Sequence, residues 1–542
     1  MALRNRRLAQ LALFFALATL HTWPLATDPV HLGRLDNDDT AFNTWVIAWV
    51  AHQLPRDPVH LFDAPIFYPE HDTLAYSEHM FVEAVLGAPL QWVGVSPVLV
   101  FNLLIWLGMA LSGFAMCLLI ERWTGSVAAG LVAGCLYAFN AHLLTRFAHL
   151  QAMHTEFLPG VLFAFDRLLQ KPGRPVAVVF GALFVLQALC SNYTMVLLAT
   201  ALLAALIVRP EPWRRDSARV WLTLAAAAAA AALVLLPFLL PYERIRTERH
   251  LAPLDEVQLY SATWRDYLTT AGRLHLKLWA SSFFGDRTSL FPGIVGSVLT
   301  AAAVASGLAW RDARARMALA FGIVGFALSF GPALPGYAWL YTHIPLLQGI
   351  RAAARWGYLL LIAVAILSGF AVAEISRRFR DRSWWPALAF ALVGLVTLEA
   401  MRAPLALVRF DGIPAVQARL ARDDVRAILV LPLYTRGQIQ RNARHMLDQT
   451  RHWRPMINGY TSFVPDSFHE RAARLQSFPD AASLQELRSV GVSHVVVNRT
   501  ALVHDLGRPD ADPLIARLRV HPDLELVFDE DDLILFKIRP SN

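Results

Sequence analysis

Cysteine is nearly absent from this chain: 542 residues hold three, Cys117, Cys135 and Cys190. All three fall inside apolar stretches, so neither a disulfide framework nor a thiolate metal site is indicated, and they read as small packing residues. Charged residues are also scarce. At 17% charged and 56% hydrophobic the chain is too apolar to be a string of soluble domains. No glycine-rich phosphate loop, serine nucleophile motif or His-x-x-x-His metal pair stands at a suitable position. The net charge of +7 is no nucleic-acid signal, because many arginines cluster in short linkers between apolar segments.

What the sequence has is long apolar runs. The stretch from Leu8 to Ala26 follows Arg4, Arg6 and Arg7 and is long enough to cross a bilayer of about 30 Å. No clean small-x-small cleavage site precedes the acidic residues beyond it, and many apolar spans follow, so it reads as a retained helix. Further spans are expected near 97–120, 126–140, 153–169, 175–190, 193–208, 218–241, 292–310, 317–333, 357–376 and 384–402, about eleven in all. The run 175–208 is too long for one crossing and splits at Ser191-Asn192-Tyr193. The short linkers carry Arg122, Lys171, Arg174, Arg209, Arg214, Arg215, Arg219, Arg311, Arg314, Arg316 and Arg377 to Arg382 all on one side. The positive-inside bias makes that side, and the N-terminus, cytoplasmic.

The sequence therefore predicts a mainly α, polytopic transmembrane helical bundle over 1–402 in the cell (inner) membrane. A small extracytoplasmic α/β domain is expected over 403–542, with strands at Ala427–Leu433, His494–Asn498 and a hairpin over Leu524–Ile538. The first outer segment, 27–90, is acidic. Two short amphipathic helices, Thr44–Gln53 and Ser77–Val93, are expected there, with Trp45, Trp49 and Trp92 at the membrane surface.

Candidate chemistry begins in that segment, at Asp36-Asn37-Asp38-Asp39. Clustered carboxylates raise one another's proton affinity, so Asp39 and Asp38 can serve as a catalytic pair. The competing reading is a helix cap, a common use of Asp and Asn. Asp36 and Asp38 also offer oxygens suited to Mg²⁺ or Mn²⁺. Arg146, His149 and Gln151 crowd the loop before the fourth span, where ionisable groups are costly and point to function, with snorkelling as the alternative. Glu78, His79, Asn192 and Tyr193 are candidates to join them. Arg351 and Arg355, four apart on an expected helical face, can clamp a phosphate or simply pair with acidic residues or headgroups.

The finer pattern comprises Asp39-x-x-x-Asn43-Thr44-Trp45, Phe67-Tyr68-Pro69, Tyr76-Ser77-Glu78-His79, Arg146-x-x-His149-x-Gln151, Phe291-Pro292-Gly293, Arg351-x-x-x-Arg355 and Asn458-Gly459-Tyr460. Over nearly its whole length the chain resembles the GT-C superfamily of polytopic membrane glycosyltransferases, near a bacterial YfhO-like group. It departs from the pattern in having Asp38 rather than glycine before Asp39. The resemblance implies transfer of a hexosyl or pentosyl group from a polyprenyl-phosphate-linked donor to an extracytoplasmic acceptor, with Asp39 matching the first-loop aspartate. A nucleotide-sugar donor would need a cytoplasmic site, for which the linkers are too short and too basic. Two rivals remain. A flippase for lipid-linked saccharides needs polar groups deep in several spans, whereas Ala225 to Ala232 is pure alanine. A noncatalytic binding protein would retain ligand binding when Asp39 is neutralised.

Overall fold

The structure, a computed structural model, describes residues 2–246, 252–283, 288–422, 424–506, 511–530 and 532–540. Parts of the second outer segment, 247–251 and 284–287, lie outside these residues. The chain forms two compact units. One comprises Met1–Pro29, Phe101–Pro237 and Leu251–Leu407, the other Val30–Val100, Phe238–His250 and Val408–Asn542. These units cut across the boundary expected at 402/403, because the first outer segment groups with the C-terminal segment rather than with the bundle.

The first unit is helical. Each of the eleven apolar segments expected from the sequence carries a helix, from Ala2–His21 to Trp385–Ala400. Among the described residues four helices are long and apolar enough to cross a membrane: Pro97–Thr124, Val127–Leu144, Ala218–Arg246 and Ala353–Phe379. Four shorter ones are also apolar, Arg174–Cys190, Asn192–Val208, Ile294–Ala305 and Trp385–Ala400. The run 175–208 breaks at Ser191, whose hydroxyl accepts from the backbone N–H of Thr194 at 3.3 Å and so starts the next helix. Helices pack closely where side chains are small. A Cβ on Gly130 would stand 2.6 Å from the carbonyl oxygen of Cys117, and all three cysteines are free and buried.

The second unit is α/β. A short pair joins β1 (Leu32–Gly33) to β2 (Val408–Arg409), antiparallel, with Leu32 opposite Arg409. Strands β3 (Ala427–Leu431), β4 (Val492–Asn498), β5 (Leu524–Glu530) and β6 (Leu533–Ile538) form a sheet of order β3-β4-β6-β5. β3 and β4 run parallel, and the other pairs are antiparallel. The alternating and continuous apolar patterns of these strands predicted them correctly.

Helix Asp38–Gln53 corrects the expectation of a half-exposed surface helix. Thr40 to Ala51 are all buried in it. The Trp45 indole donates to Gln449 Oε1 at 2.9 Å and that of Trp49 to the Leu61 carbonyl at 2.9 Å, so both tryptophans are inside the protein. Helix Phe81–Trp92 does keep an outward apolar face, with Val85, Leu86 and Leu90 exposed.

Asn458 fixes the segment leading away from the sheet. Its Oδ1 accepts from Val430 N at 2.9 Å, while its Nδ2 donates to the Val430 carbonyl at 2.9 Å and to Asn442 Oδ1 at 3.1 Å. Gly459 follows, and a Cβ there would meet the Phe67 ring at 2.7 Å. Phe67 N in turn donates to the Asn458 carbonyl at 3.2 Å.

Burial sets the acid response of this unit. It pushes His52 and His79 down to about 4 and His452 to about 3, with Arg56 and Arg454 adding to the first and last. Histidines held neutral in the fold charge more readily when unfolded, so stability is lost as pH falls below 6.5. Asp448, raised to about 6 by burial, works in the opposite direction between about pH 4 and 6. The net expectation is a loss on the order of 2–4 kcal/mol between pH 7 and pH 5, after discounting the half-exposed His52. Thermal unfolding at the two pH values checks it. An equal or higher midpoint at pH 5 would show that these histidines are not held neutral.

Candidate functional site

In the second unit the acidic segment is organised by one cap. Asn37 Oδ1 accepts from Asp39 N at 2.9 Å and starts the helix, which leaves Asp38 and Asp39 in its first turn, where carboxylates suit the helix dipole. The capping role falls to Asn37 rather than to the aspartates. Asp39 Oδ1 instead accepts a hydrogen bond from the Tyr460 hydroxyl at 2.7 Å. Both Asp38 and Asp39 are half-buried.

Glu78 and His79 are buried in the same unit. His79 Nδ1 accepts from Phe81 N at 3.2 Å, and the ring packs among Phe62, Phe238 and Tyr242. Met80 beside it has φ +43°, Asp72 φ +53° and Phe67 φ +53°. Three left-handed non-glycine residues within one short segment mark a backbone held in costly conformations by its surroundings. Part of that support is Arg244, which grips Asp72 with two hydrogen bonds of 2.6 and 2.7 Å. The Tyr242 hydroxyl donates to the Ser77 carbonyl at 2.8 Å.

The first unit gathers the basic candidates. His142 is buried near the end of the helix Val127–Leu144. Its ring stacks on Tyr358 at 5.7 Å, and Tyr358 and Tyr137 both reach Thr155, at 3.3 and 2.8 Å. The Arg355 guanidinium lies 3.7 Å above the Tyr193 ring. Arg146, His149, Gln151, Asn192, Tyr193 and Arg355 are all half-buried.

Arg351 and Arg355 do not share a helical face. Only Arg355 lies in the short 3₁₀ turn Ala353–Trp356, and Ala352 before it is non-helical at φ −93°, ψ 85°, which breaks the helical spacing. Arg351 turns to Glu256 at 3.3 Å and over the Tyr260 ring. His154 and Glu156, from the same crowded loop as Arg146, bind each other at 2.9 Å and serve packing.

Two proteins of solved structure share this architecture. The arabinofuranosyltransferase AftD from Mycobacteria is similar over 99% of the present chain, with a TM-score of 0.63 at 14% identity. The archaeal oligosaccharyltransferase AglB from Archaeoglobus fulgidus is similar over 92% of it, with a TM-score of 0.53 at 14% identity. The chain has the GT-C fold. It spans 40% of the length of AftD and 70% of AglB. No family model and no curated protein matches the sequence. The apolar helices and the GT-C fold together describe a multi-pass membrane protein.

Within the GT-C fold a divalent ion would need oxygens converging from this chain. Asp36 is exposed and engaged by Arg34 through bonds of 2.9 and 3.1 Å. Among the described residues no group of three or more His, Cys, Asp or Glu side chains is arranged to hold a metal. Asp36 and Asp38 as they stand do not make a ligand set, and no step below passes through a metal.

Sequence reasoning passed over three residues. Tyr460 contacts Asp39 across 421 positions, which no local pattern reveals. His142 is buried with its ring stacked on Tyr358. Glu83 is fully buried in the first turn of helix Phe81–Trp92. A carboxylate inside an apolar helical run was the signal available for it.

Proposed function

We propose that this protein is a GT-C glycosyltransferase that moves a sugar from a polyprenyl-phosphate-linked donor to an acceptor hydroxyl on the extracytoplasmic side of the cell (inner) membrane. The observation carrying this reading is the GT-C fold, shared at TM-score 0.63 with an arabinofuranosyltransferase. The second neighbour, AglB, was solved with an inhibitory peptide and a dolichol-phosphate, which supports a lipid-phosphate donor. YfhO-like membership is the finer assignment, and the N-terminus is taken as cytoplasmic with the C-terminal α/β part outside.

The reaction is a direct displacement. The acceptor oxygen bonds to the anomeric carbon, the bond from that carbon to the phosphate oxygen breaks, and its electron pair leaves with the lipid phosphate. Asp39 takes the proton of the acceptor hydroxyl, and Asp38 beside it helps hold that hydroxyl. Arg355, Arg146 and His149 neutralise the departing phosphate, a charge that grows only as the reaction proceeds. Arg351 contributes less than the sequence suggested, since Glu256 engages it at 3.3 Å. Glu78, His79, Gln151, Asn192 and Tyr193 shape the sugar and lipid-phosphate sites of their respective units.

Purified protein in lipid, given a panel of polyprenyl-phosphate sugars and varied acceptors, is expected to form a transferred product. Arg355→Ala should lower the rate by about 10²-fold, and Arg355→Lys should restore part of it. Among the described residues Arg355 makes no ion pair, so its removal leaves no carboxylate stranded and the loss reports on the substrate. Binding of a lipid-linked sugar without any transfer would turn the reading toward a carrier or binding protein.

A further inference from the structure

We propose that Tyr460 is a positioning residue for Asp39, through which the C-terminal segment sets the orientation of the catalytic carboxylate. The proposal rests on the reading of Asp39 as the base. Its starting point is the 2.7 Å hydrogen bond from the Tyr460 hydroxyl to Asp39 Oδ1.

That contact is built from both ends. On the helix, Phe42 stands one turn beyond Asp39, and its ring meets Tyr460 edge-on at 5.6 Å and 73°. The phenol is therefore held from the side as well as at its tip. On the other chain segment, Asn458 ties the backbone to Val430 and Asn442, and Asn442 Nδ2 also donates to the Gly459 carbonyl at 3.2 Å. Gly459 lets the Phe67 ring approach where any side chain would collide, at 2.7 Å from a Cβ. Asn458 fixes the strand side, Gly459 permits the close approach, and Tyr460 reaches the carboxylate. The three consecutive residues thus have three separate physical tasks.

The consequence for the reaction is specific. With Oδ1 engaged by the phenol, the carboxylate is held in one orientation toward the acceptor hydroxyl. In the displacement the acceptor O–H bond breaks as the new carbon–oxygen bond forms, and Tyr460 neither gains nor loses a proton.

The test compares wild type, Tyr460→Phe and Asp39→Asn as full-length proteins in lipid with a polyprenyl-phosphate sugar that supports transfer. Tyr460→Phe keeps the ring that packs on Phe42 and removes only the hydroxyl. It is expected to lower kcat by about tenfold, to leave KM for the donor within about twofold and to leave the thermal midpoint unmoved. A purely structural role would lower the thermal midpoint and leave kcat of the folded protein unmoved. Unchanged kcat in Tyr460→Phe, with Asp39→Asn inactive, would overturn the role of Tyr460 and leave the base assignment standing. Transfer by Asp39→Asn at the wild-type rate would instead remove the base assignment, and this proposal with it.

Discussion

Asp39→Asn is expected to yield a folded protein whose sugar transfer is reduced by about 10²–10⁴-fold, the range that a positioned general base contributes. The substitution changes charge without changing shape. The Tyr460 hydroxyl, 2.7 Å from Oδ1, can donate to an amide oxygen as it does to the carboxylate, and the capping bond from Asn37 uses only the backbone of residue 39. One favourable charge in the first helical turn is lost, worth about 0.3–1 kcal/mol, too little to unfold the protein. The loss should therefore appear in turnover and not in the thermal midpoint. Transfer assays run beside thermal unfolding separate the two, and an active Asp39→Asn would show that another group accepts the proton.

Asn458→Ala is expected to act on stability. Its side chain makes three buried hydrogen bonds, to both backbone groups of Val430 and to Asn442. Removing it leaves those partners inside the protein with no water to replace the amide, at a cost of about 2–4 kcal/mol. Denaturation of the purified protein would measure this as a shift to lower temperature or denaturant, and a shift below about 0.5 kcal/mol would mean that the site relaxes or admits water. Asn458→Asp is a sharper comparison, because it preserves the acceptor for Val430 N and replaces the donor with a second acceptor facing the Val430 carbonyl.

The elements of this protein were legible where one physical signal dominates. Eleven apolar segments predicted eleven helices, because a run of apolar residues long enough to cross a bilayer must satisfy its own backbone, and a helix does so. The strands of the C-terminal segment were legible for a related reason, since β3 is a continuous apolar run and β4 carries one at Val495 to Val497, both buried on both faces. The helix Asp38–Gln53 was found in place but misjudged in burial. Its composition fits a surface helix or an internal one equally, and only the partners Gln449 and Leu61 decide between them. The spacing of Arg351 and Arg355 misled in the same way. Four positions make a clamp only if the backbone between them is helical, and at Ala352 it is not.

By itself the sequence determined a chain of apolar helices, its breaks, its acidic segment 27–90 and its C-terminal strands, since each follows from local composition and period. The tertiary structure alone decided that this acidic segment belongs to one compact unit with the C-terminal segment, that Tyr460 meets Asp39, and that Arg355 lies over the Tyr193 ring. Those pairings join residues far apart in the chain. Many arrangements of the same helices would satisfy the local signals, and only packing selects which side chains meet.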